Sequence, residues 1–224
     1  MSSHARVAAL VVATAIALLL GIPAFRGDAQ SQGGAALSLK WAFVGIEKSG
    51  QKRVIDFATS PTVRSDDRLQ VYIEALTSAH VYLFLYDSNK DLTLLYPENP
   101  RAPAAPGGAG GGRILPGEDE WFAFDAAAGE EQFYLLASVK RLSRLEDLTA
   151  AWVKNQKSAE AKARVLEEIK AQRRLHSGLT AAVEKGVPMA GTFQSRAMGP
   201  EFLGEATLVE TKGFYARTLR LAHE

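Results

Sequence analysis

The sequence predicts a mainly β protein, an antiparallel β-sandwich carrying an α-helical insertion of two helices, and three stretches carry that expectation. In Val81–Tyr86, Val81, Leu83 and Leu85 alternate with Tyr82, Phe84 and Tyr86, so neither face of the strand is polar and both must be covered. In Leu69–Ala75, Leu69, Val71, Ile73 and Ala75 alternate with Gln70, Tyr72 and Glu74, which reads as an outer strand with one face on a core and the other partly wet. From Ser143 to His176 the chain has neither glycine nor proline and is dominated by Ala, Leu, Lys, Arg and Glu, a helical composition.

The elements follow in order. "VAALVVATAIALLL" (Val7–Leu20) behind Arg6, then "GIPAFRGDA", has the layout of a secretory signal peptide over residues 1–29, cut after Ala29 or after Ala24. Left uncut, the same run would serve as a single membrane anchor. Either way the expected location is periplasmic or secreted, or tethered at the membrane by the leader. The sandwich domain is expected over residues 37–221. Leu37–Ile46 and Lys52–Thr59 flank the polar turn "EKSGQ" as a hairpin. After Val81–Tyr86, "DSNKD" supplies turn formers, with Asp87 and Asn89 able to bond their own backbone, and "LTLLYP" returns as a strand that Pro97 stops. Glu98–Arg113, rich in Pro, Gly and Ala, reads as a flexible loop; no Lys-Ser/Thr pair follows its glycines, which argues against a phosphate loop.

Glu120–Ala126 and Glu131–Leu142 are two further expected strands. Ser143 with Glu146 has the capping-box spacing, opening a helical insertion over residues 143–185. Its inward residues are expected to be Leu145, Leu148 and Trp152, then Val165, Leu166 and Ile169, with Gly178 or Gly186 ending it. "GTFQSRAM", "GEATLVETKG" and "FYARTLRLAHE" return to strand, the last as a closing strand. The spacing of these short strands is that of a sandwich of the immunoglobulin-like type.

One block has a familiar order. "LQVYIEALTSAHVYLFLYDSNKDLTLLYP", "RILPGEDEWFAFD" and "GEEQFYLLAS" together resemble the bacterial domain-of-unknown-function family numbered 4384. The likeness lies in Tyr82–Tyr86, the turn Asp87–Asp91, Leu95-Tyr96-Pro97, Leu115-Pro116, Gly129 with Glu131, and Leu136-Ala137-Ser138. It covers about residues 69–142, with the final strand as a further candidate, and it implies a β-sandwich-like module, often exported or joined to signalling or caspase-like domains, with no established activity. A helical insertion and a stretched loop after Pro97 set this chain apart from that pattern.

Composition restricts the chemistry. The net charge of +1, from 26 basic and 25 acidic residues, gives no overall pull towards nucleic acid. With no cysteine, disulfides, thiolate metal sites and thiol nucleophiles are excluded. The four histidines (His4, His80, His176 and His223) lack ligand spacing, "GEDE" (117–120) lacks the alternating oxygens of a calcium loop, and no cofactor is expected. There is no Gly-x-Ser-x-Gly elbow, and "SGQK" (49–52) falls in a turn.

Binding is the remaining class. Lys170, Arg173 and Arg174 belong to a locally basic helical region interleaved with acids such as Glu167 and Glu168. Trp41, Trp121 and Tyr134 are candidates for a sheet face able to stack on a sugar. The sequence therefore points to an exported, non-enzymatic envelope module that binds another envelope protein, with the helical insertion as its docking surface. A glycan-binding module using the sheet aromatics is the alternative, and an uncharacterised hydrolase the third.

Overall fold

Alternation over eleven residues makes β1 (Ala36–Ile46) the organising strand: Leu37, Leu39, Trp41 and Phe43 face one way, and Lys40, Ala42 and Val44 the other. The computed structural model describes residues 34–101, 112–177, 182–189 and 204–224. They lie in one compact unit spanning Gly33–Glu224. The expected leader and the tip of the expected loop, residues 102–111, fall outside the described residues, as does "GTFQSRAM". No described helix is long and apolar enough to cross a membrane.

The strands after β1 are β2 (Lys52–Val54), β3 (Thr62–Val63), β4 (Arg68–Ala75), β5 (His80–Tyr86), β6 (Leu92–Tyr96), β7 (Arg113–Leu115), β8 (Phe122–Ala123) and β9 (Gly129–Ser138). Two helices follow, α1 (Ser143–Lys154) and α2 (Ala159–Leu175), then β10 (Val183–Pro188), β11 (Glu205–Lys212) and β12 (Phe214–His223). One sheet runs β10-β11-β1-β4-β7, with β2 added beside β1 and β8 beside β4; the other runs β3-β12-β9-β5-β6. All pairs are antiparallel except β3 with β12.

The two sheets enclose a core that includes Leu39, Phe43, Val71, Leu83, Phe133 and Leu135. On the far side of the second sheet, α1 and α2 form a third layer. Leu145, Trp152, Val165 and Ile169 pack there against Tyr82, Phe84 and Leu136. This is why β5 has no polar face, and Phe84 is fully buried beneath the helices. Each helical side chain fully buried in this way contributes about 1.5–3 kcal/mol of hydrophobic free energy.

Several expectations need correction. β4 is not an outer strand, because β1 flanks it on one side and β7 and β8 on the other. Its supposedly wet Gln70 is 1% exposed. The amide survives burial because its nitrogen donates to the carbonyls of Gly117, Glu118 and Glu120. Ser143 and Glu146 form no capping box: Ser143 is already helical, and no side chain caps α1. The insertion stops short of residue 185, since Val183 starts β10 and Gly186 lies inside that strand. Glu120–Ala126 contributes only the two residues of β8. In the β5–β6 turn Asp87 accepts from the Asp91 backbone as expected, whereas Asn89 reaches across to Asp125.

Candidate functional site

The three candidate aromatics do not share a face. Trp41 points between the sheets at 4% exposure, edge-on to Phe43 at 6.0 Å. Tyr134, of opposite parity to Phe133 and Leu135 on β9, lies beneath the helices at 8% exposure and donates to Gln132. Trp121 sits half-buried between β7 and β8 with the Arg68 guanidinium 5.2 Å over its ring. A sugar-stacking face built on these rings is therefore absent from the described residues, because two of the three rings are core.

Arg173 and Arg174 are exposed at the end of α2, where with Lys170 they overlook β12. The backbone of β12 is unevenly used. On one side it pairs with β9 along its whole length, from Phe214↔Ser138 to His223↔Gly129. On the other, among the described residues, it pairs only with β3, at Ala222↔Thr62 and His223↔Val63.

Parity then assigns the free groups. Val139 N–H donates to the Gly213 carbonyl, so odd-numbered residues of β12 turn their backbone groups to β9. Ala222 N–H donates to Pro61 on the opposite side, as parity requires. The N–H and C=O groups of Ala216, Thr218 and Arg220 consequently face an edge that no described strand covers. β3 cannot extend to cover it, because Pro61 has no N–H and Ser60 takes φ 53°, turning the chain away.

Two hollows of about 610 and 720 Å³ follow this edge and share Lys170 and Arg173 on their walls. Five cations line them (Lys170, Arg173, Arg174, Arg217 and Arg220) against the carboxylates Glu184 and Glu130. Both carboxylates are already engaged. Arg217 pairs with Glu184, which also accepts from the Tyr215 hydroxyl, and Arg220 lies 3.8 Å from Glu130. Arg173 donates to the Thr218 hydroxyl at 2.8 Å. Among the described residues no carboxylate pairs with Lys170, Arg173 or Arg174, so the groove keeps a positive surplus.

Two buried polar arrays lie elsewhere. Glu146, 4% exposed, accepts from the Tyr82 hydroxyl at 2.6 Å and from the guanidinium of Arg141, while the Tyr82 oxygen accepts from the Leu142 N–H. Burial works against its ionisation. The hydrogen bonds from Arg141 and Tyr82, with the Arg141 charge, outweigh burial and hold the carboxyl below its ordinary range. This array fastens the start of α1 to β5.

The second array was not visible in the sequence: Ser65 Oγ lies 3.1 Å from His223 Nε2, and Glu131 Oε1 lies 3.5 Å from His223 Nδ1. The order serine, histidine, carboxylate is that of a nucleophilic triad, but the histidine–carboxylate contact lacks hydrogen-bond geometry, and the Ser65 N–H is spent on the Glu224 carbonyl. The array ties the end of β12 to β9 and the β3–β4 turn. No group of three or more His, Asp or Glu able to hold a metal occurs among the described residues.

The β5–β6 hairpin, the two Pro motifs after β6 and β7, and the "LAS" end of β9 occur in one continuous block of the sandwich. Residues 62–141 match the family model described as Domain of unknown function (DUF4384). The DUF4384 match runs from β3 through β9 and stops before α1. The helices, β10–β12 and the five cations of the groove lie outside the match. No curated protein and no solved structure matches the chain.

Proposed function

We propose that the protein is an exported, non-enzymatic accessory module of the cell envelope that works by binding another envelope protein along β12. One observation carries the reading: among the described residues, the edge of β12 over Ala216–Arg220 has no strand partner and is flanked by three cations without counter-ions, Lys170, Arg173 and Arg174. The leader-like first 29 residues support export. The docking surface expected on the helical insertion narrows to the end of α2, because the apolar faces of both helices are consumed in covering the second sheet. Deleting the insertion would strip that cover and is not an informative test.

The informative test places a photo-crosslinking residue at Arg220, on the edge, and separately at Val153, on the outer side of α1, in cells expressing the full chain. A discrete adduct at Arg220 that disappears with Lys170→Glu/Arg173→Glu, with none at Val153, is the expected result. Equal adducts at both positions, or none at Arg220, would overturn the proposal, as would recovery of the protein only from the cytosolic fraction.

A further inference from the structure

We infer that β12 takes an extended acidic segment of its partner as an added strand, hydrogen-bonded to Ala216, Thr218 and Arg220 and held by Lys170, Arg173 and Arg174. The inference rests on the proposed interaction role and specifies its chemistry. Exposed strand edges are ordinarily blunted, since a row of free N–H and C=O groups invites pairing with another chain. Here the row is framed. Pro61 and the turn at Ser60 close one end, and Phe214, stacked on His176 at 4.1 Å, closes the other. The eight residues from Phe214 to Leu221 leave room for an extended segment of about 25 Å at the usual strand rise.

The two sides of this slot differ, which dictates the segment's side chains. Even-numbered residues of β12 face the helix layer, where Phe214 and Ala216 pack and Arg173 bonds Thr218. A strand added alongside would project every second side chain towards Lys170, Arg173 and Arg174, the unpaired cations. The intervening side chains would project towards Phe57 and Arg217, whose charge Glu184 already neutralises. Main-chain bonds supply affinity in strand addition and alternate pockets supply selectivity. The fitting segment is therefore acidic at alternate positions and apolar between them.

The probe is a fluorescein-labelled synthetic peptide of alternating Glu and Val, about eight residues long to match the slot at strand rise, followed by anisotropy with the full chain. Comparators are the same peptide with Lys for Glu, and the Glu peptide N-methylated at alternate residues so that one backbone edge cannot bond. Binding of the Glu peptide alone, weakened at least tenfold by Arg173→Glu/Arg174→Glu and by raised salt, is the expected result. Thr218→Pro removes an N–H that faces the open edge while leaving the β9 pairing intact, and Pro is tolerated at such positions. Because the change also removes the hydroxyl that Arg173 bonds, Thr218→Val is the control, and the Pro variant is expected to bind at least tenfold more weakly than the Val variant.

Equal binding of the N-methylated peptide would overturn strand addition, since charge alone would then suffice; so would absent Glu-peptide binding or equal binding of the Lys peptide. An Arg220 crosslink that persists in cells carrying Thr218→Pro would overturn the added strand while leaving the interaction role standing. Loss of every adduct in the unaltered chain would overturn that role itself.

Discussion

Replacing Glu146 tests the claim that a tertiary clamp, and not a capping box, fixes the start of α1. In Glu146→Ala the buried Tyr82 hydroxyl loses a charged acceptor, which costs about 1–3 kcal/mol, with the upper end applying to a bond made to a carboxylate. Arg141 is half-exposed and can turn to water, so its loss of partner adds little. Together these make about 3 kcal/mol, at the lower end for breaking a buried ionic contact. For a domain of this size that lowers the thermal midpoint by roughly 6–12 °C.

Glu146→Gln keeps the shape and removes only the charge, so about 1–2 kcal/mol is expected at pH 7.5. The assay is urea unfolding of the wild type and the Gln variant from pH 7.5 down to 3.5. Because the folded carboxyl titrates below its ordinary value of 4.5, its stabilisation is complete above that pH and is lost as pH falls through the depressed folded value. The gap between wild type and variant should therefore be constant at neutral pH and close towards pH 3.5. A gap independent of pH, or below about 0.5 kcal/mol throughout, the range of an ordinary surface change, would refute the clamp.

Three further outcomes are expected. Trp152→Ala, which empties the centre of the helix–sheet layer, should cost about 3–5 kcal/mol in urea unfolding and raise binding of an apolar dye. Burial pushes the Glu131 carboxyl up, against the Ser88 N–H and His223, which pull it down, so its ionisation costs stability as pH rises above 4.5. Glu131→Gln should accordingly unfold at a higher temperature than wild type at pH 8, with the difference vanishing towards pH 4. Ser65 should not react with a fluorophosphonate probe, given the slack His223–Glu131 contact; labelling that Ser65→Ala abolishes would contradict the non-enzymatic reading.

Local patterns carried the sandwich. Tyr82 and Phe84 announce a covering layer by having no polar neighbours on their face, and Leu145, Trp152, Val165 and Ile169 announce the helices that supply it. Patterns fail where a distant group changes the meaning of a residue. Gln70 looks solvated in a period-two strand, yet three loop carbonyls about fifty residues away pay for its burial. Glu146 sits at capping-box spacing from Ser143 but is recruited by Tyr82 and Arg141.

Arg173 and Arg174 were legible as charge and not as a site, because the open edge beside them exists only once β12 has paired with β9 and α2 has settled over it. Ser65 and His223 meet across 158 positions, a separation at which no local pattern operates.

The placement of β12 also bears on how the chain reaches its folded form. Its neighbours are Gly129–Ser138 and Thr62–Val63, so the second sheet closes only through partners spread across most of the sequence. Bringing such distant segments together costs loop entropy before any contact rewards it, and folding slows accordingly. Until β12 docks, β9 and β3 lack the strand that joins them, so the second sheet stays incomplete however well its hairpins have formed.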